Sequence, residues 1–440
     1  MAPVRTVVVS DLHIGAANDA DLLRRPSFRE RLSGFVAGAE RLVLLGDVLE
    51  LRDRPLPEVV DLARPLFVDL GRAIGDGEIV VVAGNHDHHL VEAWLERRML
   101  DSAQPLGLEQ LTDPDGGALE ILAEAAAPAR VLVAYPGLWV ADGVYAMHGH
   151  FLDRHLTIPT FERLGVAMVE RVLGVPPGGD PLAPPGGEEP VTPAEYESAQ
   201  APVYALLFAL AQGTSRAGRG NPAEPSVRIF DALGGGPGPA ARVRGWLLGT
   251  VAVPGAVGLA NRLGLGPVSA DLSAGAITRA GVAAMREVAS RLRIDARWLI
   301  FGHTHRRGPR AEEAEWLLQG GGRMLNTGSW IHAPSLLGPT AAVSDWWPGT
   351  VAVIEDSEPR LQQLLDDLSR EDLRRSDCAA RRLGYEMIGR KEERCGSLRA
   401  SMPSFSPSRR RARAATSRAS RSSTHPPAPT VSSSSRRSRS

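Results

Sequence analysis

Short apolar runs rich in β-branched residues, bounded by turn-forming residues, recur at Thr6 to Ser10, Leu42 to Leu45 and Ile79 to Val82. Such runs predict strands buried on both faces. Between them, Asp19 to Ala39 and Pro57 to Ile74 place apolar residues at helical spacing, so the order strand, helix, strand, helix, strand predicts a largely parallel sheet. Further on, Leu138 to Ala141 and Val144 to His148 flank Asp142-Gly143, a pair whose backbone tolerates the positive φ of a tight hairpin. From about His155 to Asp295 the pattern changes to a Pro/Gly-rich stretch at Val175 to Pro190 and helical periodicity at Pro202 to Gln212 and Ile277 to Leu292. Apolar strand runs return at Trp298 to Phe301, Met324 to Thr327 and Thr350 to Ile354. The reading is therefore an α/β domain split into residues 1–154 and 296–357, with a helical insertion or cap at 155–295. Residues 358–400 read as a charged helical extension, and the Ser/Arg/Pro-rich 401–440 as a disordered tail with too little apolar content to offset its ordering entropy.

With 440 residues and 43% hydrophobic content, the chain has enough material for one large core with additions. Its net charge of -1 is uneven, because nothing after Glu393 is acidic while Arg recurs to the end. The two cysteines, Cys378 and Cys395, lie beyond the predicted core, so disulfides are not what holds it together. The first apolar run begins at Thr6, which leaves no room for a standard export signal and points to a cytoplasmic setting. Inside the insertion, Gly245 to Ala260 is uncharged and apolar, with Arg242, Arg244 and Arg262 around it. It is short of the roughly 20 residues a bilayer span needs, so it reads as a core or cap helix. Contact of this stretch with a membrane surface or a lipid is the alternative.

The chemistry-bearing residues fall just after the apolar runs. Asp11-Leu12-His13 follows the first, and residues two apart on an extended chain share a side, so one carboxylate and one imidazole can reach a single ion. Gly46-Asp47, Gly84-Asn85-His86-Asp87, His148-Gly149-His150 and Gly302-His303-Thr304-His305 each follow a predicted strand. Open α/β sheets gather ligands at the carboxyl ends of their strands, where these clusters would converge. Singly, each has an ordinary structural explanation as a cap, a turn or a core histidine. Together they would require polar residues at five strand ends to be buried without a purpose, which is costly.

This order of D-x-H, G-D, G-N-H-D, H-G and G-H-T-H resembles the calcineurin-like metallophosphoesterase superfamily over roughly residues 4–357, interrupted by the insertion. The resemblance implies a four-layer αββα sandwich. It also implies two divalent metal ions, one held by Asp11, His13, Asp47 and His305 and the other by Asp47, Asn85, His148 and His303, with Asp47 shared. That donor set suits Mn, Fe or Zn, with Mg an alternative. The function implied is phosphoester hydrolysis, as a phosphatase or phosphodiesterase, by a metal-bound hydroxide attacking phosphorus in line. In the family pattern His86 serves the leaving group, with Asp87 fixing its imidazole.

Gly46-Asp47-Val48-Leu49-Glu50 and Met147-His148-Gly149 also resemble the UDP-diacylglucosamine pyrophosphatases, which suggests a pyrophosphatase acting on a nucleotide-linked lipid. That group typically has Arg where this chain has His86, and the substrate is left open. A nuclease is a further option, although no basic stripe with interleaved aromatics precedes the tail, so nucleic acid is not the expected partner of the core. A non-catalytic metal-binding scaffold would be expected to lack some of these residues, and none is missing. His88, His89, His150, Arg154, His155, Arg306 and Arg307 are weaker candidates for contact with substrate phosphate. Asn326 to Trp330 reads as a loop beneath the site with a structural job.

Overall fold

Valine, leucine and isoleucine fill the first four long strands almost without interruption, and each strand is followed by a helix or a glycine-containing loop. The computed structural model describes residues 5–374, apart from 17–18, 102–104, 174–190, 217–252, 272, 311–312 and 335. The predicted tail, the 375–400 stretch and the first half of the Gly245 to Ala260 run therefore lie outside the described residues. The chain is a mixed α/β protein with two sheets.

The first sheet has seven strands, β1 (Thr6–Val9), β2 (Arg41–Leu45), β3 (Glu78–Val82), β4 (Leu111–Thr112), β5 (Arg130–Ala134), β11 (Thr350–Glu355) and β12 (Glu358–Gln363), in the order β12-β11-β1-β2-β3-β5-β4. Its centre, β1-β2-β3-β5, is parallel, and the outer strands run antiparallel. The second sheet has the order β6-β7-β8-β10-β9, built from β6 (Gly137–Ala141), β7 (Val144–Met147), β8 (Trp298–Phe301), β9 (Arg307–Gly308) and β10 (Arg323–Thr327). The predicted turn at Asp142-Gly143 forms, with Gly143 at φ 67° and a register shift between Trp139 and Ala141.

Alternate side chains of a strand face opposite sides, and here both sides are dry. Val8, Val43, Leu45, Val80 and Val82 point to the second sheet and meet Leu138, Val140, Val144, Ala146, Ile300 and Leu325. Val7, Val9, Leu42, Leu44, Ile79 and Val81 point the other way, toward helices α1 (Pro26–Val36), α2 (Leu56–Ile74) and α4 (Gly117–Ala125). Each such side chain contributes about 1.5 to 3 kcal/mol when taken fully out of water. Helix α3 (His89–Asp101) follows the loop after β3.

The predicted insertion contains α5 (Phe161–Leu173), α6 (Pro193–Arg216), α7 (Val253–Arg262) and α8 (Ala274–Arg291). Helix α8 covers the outer face of the second sheet, where Val282, Met285 and Val288 pack with Tyr145, Met147, Leu299 and Phe301. The described part of the insertion clusters with the rest of the described chain as one unit. None of the described helices is long and apolar enough to cross a membrane.

One sequence expectation is corrected. Residues 358–363 are not helical but form the edge strand β12, paired along its length with β11 across a turn in which Asp356 and Ser357 have φ of 51° and 61°. Its charges misled the reading, because an edge strand exposes one row of side chains and charged residues belong there. Glu358, Arg360 and Gln362 are exposed, while Pro359 is buried. Helix α9 (Arg370–Arg374) ends the described chain.

Candidate metal centre

Within each sheet the carboxyl ends of neighbouring parallel strands lie level with one another. Leu45 of β2 pairs with Val82 of β3, Val9 of β1 with Leu44, and Ala146 of β7 with Ile300 of β8. The loops that leave those ends are stitched together by their own backbones. Asp11 N donates to Gly46 O at 3.1 Å, His13 N to Asp47 O at 2.8 Å, Gly302 N to His148 O at 2.9 Å and Trp330 N to Asp11 O at 3.0 Å. Asn326 and Thr327 brace this base from below, with Asn326 Nδ2 donating to Gly302 O at 2.7 Å and Thr327 Oγ1 lying 2.6 Å from Ser10 Oγ.

Asp11, His13, Asp47, His303 and His305 all have positive φ, between 46° and 64°. That region is strained for side chains other than glycine, and such residues cluster at functional sites where the surrounding fold enforces them. This left-handed conformation accompanies the turn by which each loop brings its polar side chain into the group. Asp11, His13 and His305 form one group and Asp47, His148 and His303 another, each with its ligand atoms within 4.8 Å of one another.

In the first group His305 Nε2 is 3.2 Å from Asp11 Oδ1, and His13 Nε2 is 3.0 Å from His305 Nε2. In the second, the amide end of Asn85 lies 3.0 Å from His303 Nδ1, 3.2 Å from His148 Nε2 and 3.3 Å from Asp47 Oδ2. Lone pairs converging this closely call for protons or a cation among them. Asp47 Oδ2 sits between the two groups, 3.7 Å from His13 Nε2 and 3.3 Å from His148 Nε2. Burial opposes ionisation of Asp47, but the imidazoles of His148, His86 and His13 outweigh it and hold the carboxyl well below its usual range. Burial likewise opposes a charge on His148, and Asp47 reverses the outcome, raising it to about 9. All seven residues expected to bind metal are thus brought together: Asp11, His13, Asp47, Asn85, His148, His303 and His305.

His86 joins them with its Nε2 4.0 Å from Asp47 Oδ2. Its carboxylate partner is not Asp87, as expected from the sequence. Asp87 directs Oδ2 at the N–H groups of Val48 and Leu49, at 2.7 and 3.1 Å, and Oδ1 at that of Gly84, at 2.7 Å. Its neighbourhood in sequence is overridden by the turn of the loop, which points Asp87 back under the strands. Burial and the nearby Asp47 raise its carboxyl to about 6. Glu50 takes the place expected of Asp87. A single oxygen, Oε2, lies 2.7 Å from His86 Nδ1 and 2.9 Å from His13 Nδ1, while Oε1 accepts from Arg52 N at 3.0 Å. The signal was present, since Glu50 stands three residues after Asp47 in the run Gly46 to Glu50.

Two further residues escaped the sequence reading. Asp153 Oδ1 is 2.8 Å from His303 Nε2. Arg52 donates from Nη2 to Asn85 O at 2.9 Å and from Nη1 to Glu162 Oε1 of α5 at 2.8 Å, with Nη1 also 3.3 Å from His86 Nε2.

Most of the weaker candidates serve the packing of the inserted helices. His88 meets Glu197 of α6 at 2.6 Å, and burial, which opposes its charging, is outweighed so that it titrates at about 9. His150 Nε2 lies 3.2 Å from the Tyr135 hydroxyl, His155 Nε2 2.7 Å from that of Tyr196, and Arg154 Nε donates to Glu170 at 2.5 Å. His89 stacks on Phe208 of α6 with ring centroids 3.9 Å apart. Arg306 Nε pairs with Asp345 at 3.0 Å. Arg307 donates to the backbone oxygen of Ala341.

No protein-family model matches the chain, and no curated protein matches it. Among solved structures, a dimetal phosphatase from Danio rerio is similar over 82% of this chain and 99% of that one, at 12% identity and a TM-score of 0.27. At that level of likeness the functional reading rests on the residues themselves.

Proposed function

We propose that this chain is a dinuclear-metal-dependent phosphoester hydrolase. The observation that carries the reading is the position of the Asp47 carboxylate between two buried His/Asp groups, the arrangement a bridging ligand requires. Asp11, His13, Asp47 and His305 would hold one cation, and Asp47, Asn85, His148 and His303 the other. Nitrogen and oxygen donors of this kind suit Mn, Fe or Zn, with Mg an alternative. Two such ions would activate water near neutral pH and polarise the phosphoryl group. The two facing sheets, with α1, α2 and α4 behind one and α8 behind the other, support a four-layer αββα sandwich as the fold.

The chain's own residues do the rest. Glu50 takes the Nδ1–H of His86 and so directs Nε2 at the site, where it can hand a proton to the departing oxygen. Arg52 Nη1 lies 3.3 Å from the same nitrogen and supplies positive charge beside the site. The test is hydrolysis of an aryl phosphomonoester and an aryl phosphodiester by metal-stripped protein titrated with Mn²⁺, Fe²⁺, Zn²⁺ and Mg²⁺. Turnover should depend on metal, vanish in Asp47→Ala and fall about 10²- to 10⁴-fold in His86→Ala. Two bound ions with no turnover of any phosphoester, nucleotide diphosphates included, would leave a scaffold.

A second reading concerns the substrate. Phe161, Met168 and Val172 of α5, Leu206 and Leu210 of α6, and Leu259 of α7 are exposed apolar side chains on the inserted helices. They favour a phosphoester linked to an apolar group, or contact with a lipid surface. Failure to co-sediment with anionic liposomes at low salt would count against surface contact.

A further inference from the structure

We infer that Asp153 is a positioning residue for His303, and that through it the inserted helices form part of the support of the metal centre. This inference rests on the functional reading above. His303 shows one ring nitrogen to the site and the other to Asp153. Its Nδ1 is 3.0 Å from the amide of Asn85, and its Nε2 is 2.8 Å from Asp153 Oδ1. A carboxylate at Nε2 fixes the proton there, which leaves the Nδ1 lone pair for a cation and makes it a stronger donor. Asp153 is 2% exposed, so water cannot easily take over this task.

Asp153 belongs to neither sheet. It sits on the 3-10 turn His150–His155, which follows His148 and is held from outside by the insertion. Gln200 of α6 donates to His150 O at 3.0 Å, Tyr196 stacks on Phe151 at 4.8 Å and bonds His155, and Glu170 of α5 takes Arg154. Tyr204 places its hydroxyl 3.5 Å from the second oxygen of Asp153. Phe151 and Leu152 are buried with Val282 and Met285 of α8. The turn is therefore fixed by three inserted helices before it can present its carboxylate to His303. The insertion thereby supports one of the two cation sites directly, in addition to anything it does for substrate.

The experiment is calorimetric titration of Mn²⁺ into metal-stripped full-length protein, for wild type, Asp153→Asn and Asp153→Ala, with thermal unfolding recorded in parallel. Nitrogen-15 NMR of labelled histidines, with His303 assigned by its absence in His303→Gln, reports the tautomer. Wild type should bind two ions. Asp153→Ala should weaken one of them by about 10- to 100-fold and leave the other within about twofold. Asp153→Asn, which keeps an acceptor but no charge, should lose less, and it carries the test if the alanine variant does not fold. The His303 resonances should move from the Nε2–H tautomer toward a mixture in Asp153→Ala. Unchanged affinities, or equal loss at both sites in step with thermal stability, would overturn the inference while leaving the hydrolase reading intact. A wild type that binds no pair of ions would overturn both.

Discussion

Gly46 ends β2 at φ 83°, and its α-carbon is pressed against the site. A Cβ built there lies 2.3 Å from Cγ and Nδ1 of His148 and 2.6 Å from its Cβ. The ring cannot step aside, because it is fully buried and its Nδ1 is tied to Leu45 O at 3.0 Å. For Gly46→Ala the backbone conformation alone costs about 1 to 2 kcal/mol. Overpacking of a filled interior adds about 1 to 3 kcal/mol, so the expected loss is roughly 2 to 5 kcal/mol. At about 2 to 4 °C per kcal/mol for a domain somewhat smaller than this one, Tm should fall by roughly 4 to 20 °C. Gly34→Ala is the control, since that glycine lies inside α1 with nothing within 4 Å of the added carbon. It should stabilise by about 0.5 to 1 kcal/mol. Scanning calorimetry and Mn²⁺ titration read both variants, and Gly46→Ala should also weaken the site that includes His148. A Gly46→Ala protein that melts within a degree of wild type and binds Mn²⁺ as tightly would refute the packing argument.

Three further outcomes follow from the site. Glu50→Gln removes the charge facing both His13 and His86, so turnover of an aryl phosphoester should fall about 10- to 100-fold with a smaller effect on thermal stability. Asp87→Asn should do the reverse, because an NH2 group would face a backbone N–H in either orientation, those of Val48 and Leu49 or that of Gly84. It should destabilise by about 1 to 3 kcal/mol in urea unfolding and lower kcat less than Glu50→Gln does. The pH dependence of stability follows from His88, which the neighbouring Glu197 and Glu92 carboxylates push up to about 9 against burial, above the ordinary imidazole value of 6.5. A raised value means the contribution is complete below about pH 6.5 and is lost as pH rises toward 9, at most about 3 kcal/mol in all. Wild type minus His88→Gln should show that fall between pH 6.5 and 9, and a flat difference would remove the role of the Glu197 pair.

Much of the fold was legible because parallel strands buried on both faces read as unbroken apolar runs, as at Val7 to Val9 and Val80 to Val82. Residues 358–363 were not legible, because a charged edge strand and a charged surface helix share a composition and differ only in period. The convergence of the candidate-centre residues was legible, since each follows a strand and the sheet brings strand ends together. What the sequence hid was which carboxylate serves which imidazole. Asp87 stands next to His86 along the chain, yet Glu50, thirty-six positions away, touches it. Asp153 was hidden for the same reason, as its partner His303 lies beyond the whole insertion. Chain proximity misleads wherever a loop reverses direction within one or two residues.

The seam between the two sheets is mainly apolar, with Val8, Val43 and Val80 on one side and Val144, Ile300 and Leu325 on the other. Apolar contacts carry no direction, and bonds that cross between the sheets lie at one edge, where Ser10 Oγ meets Thr327 Oγ1 at 2.6 Å and His148 Nδ1 meets Leu45 O at 3.0 Å. The polar residues at its rim come from both partners: Asp11, Asp47 and Asn85 from the first sheet, His148, His303 and His305 from the second. A cation held by both sets would act as a further rivet at that edge. It would add to the hold of those bonds on the register of the sheets and tie the energy of loading to that of keeping them closed, by RT ln(1 + [M]/Kd) for each ion. Chelation should then raise amide exchange along the seam strands before it touches the outer helices.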